Sequence, residues 1–153
     1  MQVYFTTSDF GDEAASRAAA EMAQPPTEKY HLYGTVVLEH TGQPRLSIYD
    51  DLPFLVPALC VEAATALEQT GVATANTIDW PGTIRLTATG DTVDAQVTEG
   101  GSATFPCVET IAALRGCAAR FAEFLDIFGE FHPQFAAKAA ELRAVLPSEA
   151  APD

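Results

Sequence analysis

Positive charge is scarce in this chain. Only 8 of its 153 residues are Lys or Arg, against 21 Asp or Glu, so the formal net charge is -13. A field of that sign repels phosphate groups, which disfavours nucleic acids and anionic membranes as partners, and it attracts surfaces rich in Lys and Arg. The composition therefore predicts a basic protein as the partner.

The short motifs that mark nucleotide binding or hydrolysis are absent. The sequence contains no Gly-x-Gly-x-x-Gly, no Walker-type phosphate loop and no Gly-x-Ser-x-Gly. No histidine has a second ligand at helical spacing. The three cysteines match no zinc or redox spacing, and their odd number argues against a closed set of disulfides. We therefore expect no metal, no cofactor and free thiols.

Targeting and membrane-spanning patterns are also missing. The N-terminus has neither the basic start nor the apolar core of a signal peptide, and no stretch reaches the roughly 18 uninterrupted apolar residues of a membrane helix. We expect a cytoplasmic protein that does not enter a membrane. The length fits one domain, which we assign to residues 1–147, with a flexible tail at 148–153.

Residue alternation with a period of two predicts two β-hairpins. The first covers residues 30–49 and the second covers residues 84–97, each with a glycine in its turn. A short stretch rich in β-branched and aromatic residues, 1–6, predicts an additional N-terminal strand. Between the hairpins, residues 72–82 are expected to form a loop that carries Trp80, the single tryptophan.

Helical periodicity is strongest near the C-terminus. Apolar residues at spacings of three and four predict a long amphipathic helix over 107–131. Gly116 in its middle costs about 1 kcal/mol relative to Ala, which suggests that a neighbouring element approaches closely there. A middle helix is expected to begin at Pro57. Hairpins separated by helices predict an α+β fold, with an antiparallel sheet packed against the long helix.

Asp50 and Asp51 form an adjacent acid pair at a predicted strand-to-helix junction. Carboxylates at such a place can hold a divalent cation or act as acid and base. The favoured alternative is that one of them caps the following turn and complements its dipole. The spacing offers no third ligand.

Trp80 follows Asp79 in the predicted loop, and these residue types act as an anchor and a rim charge at protein interfaces. Alternatively, Trp80 folds back over the sheet and fastens the loop. Tyrosines of the first hairpin can present an acidic surface with aromatics to a basic partner, the alternative being an ordinary solvated sheet face. The predicted partner-binding residues are Trp80, Asp79, Asp50, Asp51, Tyr33, Tyr49 and Glu39.

An enzyme is a further hypothesis. Cys107 lies at the start of the long helix, where the helix dipole favours a thiolate nucleophile, although it also begins the apolar stripe and is expected to be buried. Catalysis would require Asp50, Asp51, Cys107 or a histidine to converge in one pocket, and nothing in their spacing requires that. We therefore expect a protein that is not an enzyme.

The layout resembles that of small acidic bacterial toxin-immunity proteins over about residues 30–131. The features that carry the resemblance are the two hairpins, the junction Asp50-Asp51-Leu52-Pro53 and the long helix. The resemblance implies a non-enzymatic inhibitor whose acidic face covers the basic active site of a cognate toxin, with association steered by charge.

Size, acidity and element order are also similar to those of type III secretion chaperones, which dimerise and hold an effector segment. Such chaperones have three strands before the middle helix, whereas here a proline-containing segment follows the second hairpin strand. The two resemblances together imply a monomer or a homodimer.

Overall fold

The structure is a computed structural model that describes residues 1–147, so the predicted tail at 148–153 lies outside the described residues. The α+β class is confirmed. The first half contains β1 (Gln2–Thr7), α1 (Glu13–Glu21), β2 (Tyr33–Glu39), β3 (Leu46–Asp51), α2 (Leu52–Val56), a π-helical segment (Pro57–Ala63) and α3 (Ala64–Thr70). The second half contains β4 (Val72–Asn76), β5 (Thr83–Thr89), β6 (Thr92–Val97), β7 (Gly101–Pro106), α4 (Cys107–Phe131), a 3₁₀ turn (Pro133–Phe135) and α5 (Ala136–Val145).

The strands form two antiparallel sheets. Sheet A has the order β1-β2-β3 and sheet B has the order β4-β5-β6-β7. The two predicted hairpins are present as β2–β3 and β5–β6, each in its own sheet, and the predicted N-terminal strand is β1. The first hairpin therefore belongs to a different sheet from the second, and the long helix packs against both.

Two strands of sheet B are not foreseen by the sequence pattern. β4 lies in the segment expected to be a loop, and β7 lies between the second predicted hairpin and the long helix, where no strand is expected. β4 buries only Ala73 and Ala75 and leaves Val72 exposed, so its alternation is the reverse of the usual large-inside pattern. The sequence pattern does not predict this strand, because its buried residues are small and a strand is usually recognised by large apolar side chains on one face.

The middle helix begins at Leu52, not at Pro57 as predicted. Pro53 fits the first turn, where an N–H would have no intrahelical partner. Pro57 then begins a π-helical segment that is continuous with the flanking helices. The wider turn lets the helix pass a proline that would interrupt a regular α-helical hydrogen-bond ladder.

The continuous helix Leu52–Thr70 is long and apolar enough to cross a membrane by length and composition, with a mean hydropathy of 1.2. In this fold 56% of the 18-residue apolar stretch within the helix is buried, and the helix packs against sheet A, sheet B and α4. The core helix of a folded domain commonly has the same length and composition.

Helix α4 runs the length predicted for it and contacts both sheets and most other helices. Its buried side chains belong to one continuous core cluster that also includes Phe5 of sheet A and Leu86 of sheet B. Among residues 1–147, no neighbouring element makes the expected close approach at Gly116, where a Cβ would meet the Arg120 guanidinium of the same helix at 3.3 Å. A real close approach occurs at Gly34, where a Cβ would overlap the Thr6 carbonyl oxygen.

Candidate functional site

Tyr33 and Tyr49 lie on the outer face of sheet A. In the antiparallel register Tyr33 pairs with Asp51, and Thr35 pairs with Tyr49. Because side chains alternate along a strand, the two tyrosines point away from the core that Val36 occupies. Their rings stack with centroids 6.1 Å apart and planes 16° apart.

Two further rings extend this pair into a row. The His31 ring stacks on Tyr33, with centroids 5.4 Å apart, and Trp80 meets the edge of Tyr49 at 5.5 Å. We call His31, Tyr33, Tyr49 and Trp80 the aromatic row. Trp80 remains 53% exposed and Tyr49 37% exposed. The tryptophan thus both rests against the sheet and presents most of its ring to solvent.

Asp50 fastens the loop that carries Trp80. Its buried carboxylate accepts hydrogen bonds from the backbone N–H of Ile78, at 2.7 Å, and of Asp79, at 3.0 Å. These main-chain donors replace water around the charge, which is how a carboxylate is accommodated in the interior. The expectation that Asp50 lies on an exposed face is wrong. Asp50 instead holds the loop that carries Trp80 in place through these two hydrogen bonds.

Asp51 is also buried, at 1% exposure, so the expectation that it belongs to an exposed binding surface is wrong as well. One carboxylate oxygen accepts from the Leu32 N–H at 2.9 Å, and the other lies 2.9 Å from His31 Nδ1. Although Asp51 is the N-cap residue of α2, its side chain makes no capping hydrogen bond. The favoured alternative for the acid pair is therefore right about the position of Asp51, but no side-chain capping bond forms, because both carboxylates accept from backbone N–H groups outside the helix.

Asp79 completes the cluster from the loop. Its carboxylate accepts from the Tyr33 hydroxyl at 3.0 Å and lies 3.8 Å from His31 Nδ1. Loss of hydration and the hydrogen bond to Asp79 raise the pKa of Tyr33 to about 12. The hydrogen bond to Asp51 raises the pKa of His31 above 6.5, and the nearby carboxylates of Asp79 and Glu28 act in the same direction.

Glu39 lies apart from this cluster, contrary to its place in the predicted surface. It is at the far end of β2 from Tyr33, about 20 Å away at roughly 3.3 Å per residue. There it accepts from the Tyr4 hydroxyl at 3.0 Å and pairs with Arg45 at 3.4 Å. Glu39 therefore contributes to a separate, locally neutralised part of sheet A.

The cysteines do not join the aromatic row. Cys60 and Cys117 are buried, as expected, and the hydrogen bond with Cys117, together with burial, raises the pKa of Cys60. Cys107 is partly buried and lines a different groove with Val108 and Arg115. Of the residues that the enzyme hypothesis names, the structure brings together Asp51 and His31, whereas Cys107 and the Asp50 carboxylate make other contacts.

His31 is the site residue that sequence reasoning misses. It is separated from Asp51 by 20 positions, and the loop carrying Asp79 comes from the other sheet. Only the register of β2 against β3 and the course of the loop bring these side chains together. Local spacing contains no signal of that kind.

No protein-family model matches this chain. No curated protein and no solved structure matches it either.

Proposed function

We propose that this chain is a non-enzymatic cytoplasmic protein that binds and covers a basic protein partner. The observation that carries the proposal is the exposed aromatic row, which ends at Trp80 beside Asp79 on a loop fastened by the buried Asp50 carboxylate. The contact surface of this proposal comprises the aromatic row and Asp79. It omits Asp50, Asp51 and Glu39 as direct contacts.

Preorganisation makes such a surface suited to binding. Trp and Tyr are enriched among residues that dominate interface energies, and they lose few rotamers on binding. Here the stacking of Tyr33 on Tyr49 and the edge contact from Trp80 restrict the rings before any partner arrives. The ordering cost of association is correspondingly lower.

The charge around the row favours a cationic partner. Arg and Lys side chains bind above aromatic faces and form charge-assisted hydrogen bonds with carboxylates. Asp79 supplies a half-exposed carboxylate beside the rings, with a side-chain exposure of 35%. The net charge of -13 adds a long-range attraction that raises the association rate for a basic surface.

Inhibition of a cognate toxin is the biological role that we propose, in line with the immunity-protein resemblance. A secretion chaperone is the alternative, and it differs in requiring a dimer. Light scattering on the purified full chain distinguishes them, because we expect a monomer, and a stable dimer would favour the chaperone.

The experiment is copurification of the chain with the products of neighbouring genes, followed by reconstitution with each purified candidate. We expect one basic protein to form a stable complex. Its association rate should fall as the salt concentration rises, because at 0.1 M salt the attraction between charges more than about 10 Å apart is largely screened. Absence of a protein partner, or an association rate unaffected by salt, would contradict the proposal.

A further inference from the structure

We infer that His31, Asp51 and Asp79 form a binding site for a divalent transition-metal ion, of which Zn²⁺ is the probe. One ligand atom from each side chain lies within 4.8 Å of the other two. His31 Nδ1 lies 2.9 Å from Asp51 Oδ2 and 3.8 Å from Asp79 Oδ2. The inference shares His31 and Asp79 with the proposed contact surface, but it rests on the separations of their ligand atoms and needs no protein partner.

The separations suit an ion placed between the three atoms. Zinc binds imidazole nitrogen and carboxylate oxygen at about 2.0–2.2 Å, so ligand atoms around a tetrahedral ion lie roughly 3.3–3.6 Å apart. The two separations from His31 Nδ1 lie on either side of that range. Side-chain shifts of about half an ångström bring both of these separations into that range, and each of the three residues offers a ligand atom within 4.8 Å of the other two.

Groups outside the cluster already orient both carboxylates. The Leu32 N–H holds the Asp51 oxygen that faces away from His31, and the Tyr33 hydroxyl donates to Asp79. The Asp50 carboxylate fixes the backbone of Asp79. Metal sites characteristically have such an outer shell, which fixes ligand direction before the ion binds.

Burial and charge provide a separate reason for a cation here. The Asp51 side chain is 1% exposed, and a second carboxylate, Asp79, reaches the same imidazole nitrogen. Two carboxylates around one imidazole leave the cluster with a net negative charge whether His31 is neutral or protonated. A divalent ion carries twice the charge of a proton and can contact both carboxylates at once.

The donor set indicates which ions bind. Imidazole nitrogen favours Zn²⁺ and its neighbours over Mg²⁺ and Ca²⁺, which prefer all-oxygen sites. Three protein ligands leave at least one coordination position for water, because His31 and Asp79 are half-exposed on the solvent side.

Calorimetric titration of the full chain with Zn²⁺ and with Mg²⁺ tests the site. We use a Cys107→Ser background, so that the partly exposed thiol does not bind zinc. We expect one Zn²⁺ per chain and much weaker Mg²⁺ binding. His31→Gln and Asp79→Asn should each raise the Kd for Zn²⁺ at least about tenfold, whereas His40→Gln, a histidine outside the cluster, should leave it unchanged.

Circular dichroism of each variant checks that the fold is retained. Cobalt absorption spectra of the same variants provide a second readout of ligation that does not depend on heat. The inference is overturned if Zn²⁺ does not bind, or if the His31 and Asp79 variants bind it as tightly as the parent. Either outcome leaves the partner proposal standing, because that proposal is tested by complex formation and its dependence on salt, with no metal added.

Discussion

Replacement of Asp50 by Ala should release the loop that carries Trp80. The Asp50 carboxylate is buried and accepts two backbone hydrogen bonds, from Ile78 and Asp79, 28 and 29 positions along the chain. It is therefore a long-range connection between the end of β3 in sheet A and the loop between β4 and β5 of sheet B. Alanine removes both acceptors at once.

The expected loss of stability is about 3 kcal/mol. A hydrogen bond to a charged group contributes about 1.5–3 kcal/mol net, and two are lost. The lower end applies because the freed N–H groups of an exposed loop regain water, and because the buried carboxylate no longer has to be desolvated. With urea slopes of about 1–3 kcal/mol/M, the unfolding midpoint should fall by roughly 1–3 M.

Urea denaturation with tryptophan fluorescence measures both effects. Trp80 is the single tryptophan, so its emission and its quenching by acrylamide report on the loop directly. We expect Asp50→Ala to lower the midpoint and to increase quenching in the native state. Asp94→Ala is the matched control, since the Asp94 side chain is exposed and accepts from the Thr104 hydroxyl.

The control should cost less than about 1 kcal/mol and leave quenching unchanged. An Asp50→Ala protein with the parent's midpoint and quenching would refute the reasoning, because the loop would then hold its position without the carboxylate.

Three further substitutions test other parts of the fold. Gly34→Ala should prevent or severely weaken folding, because the new Cβ overlaps the backbone carbonyl of Thr6, and solubility with circular dichroism measures it. Gly116→Ala should raise the free energy of unfolding by up to about 1 kcal/mol in urea, since the nearest group in the described part of the chain is a flexible guanidinium. Arg115→Gln should lower the melting temperature at neutral pH but not in acid. Arg115 holds the pKa of Glu68 below 4.5, so the ion pair stabilises the fold above pH 4.5, and this contribution is lost as the pH falls through the lowered pKa. A difference in melting temperature between variant and parent that stays constant with pH would contradict this.

Local patterns predict much of the fold. Alternation in residues 30–39 and 84–97 predicts both hairpins, and three-and-four spacing predicts α4 with its bounds. These elements bury large side chains on one face, which is the property that periodicity detects. β4 buries alanines and escapes detection for that reason.

The candidate site is only partly predictable. Trp80 and Asp79 are adjacent in sequence, and Tyr33 and Tyr49 belong to one hairpin, so their proximity can be inferred locally. The roles of Asp50 and His31 cannot, because each depends on a contact between segments that are distant in the chain. Two adjacent acidic residues usually lie on a protein surface. Here both carboxylates are buried, which is possible because backbone N–H groups of distant segments donate hydrogen bonds to them.

The central claim is that the aromatic row binds the basic partner, and the affinity of Trp80→Ala for the reconstituted partner tests it most directly. Val108→Ala is the control, because Val108 is 80% exposed on α4 and lines the other groove. We predict that the Trp80 variant binds at least about tenfold more weakly, the loss expected for an aromatic hot spot, and that the Val108 variant binds like the parent. Equal affinity of the Trp80 variant and the parent would contradict the claim.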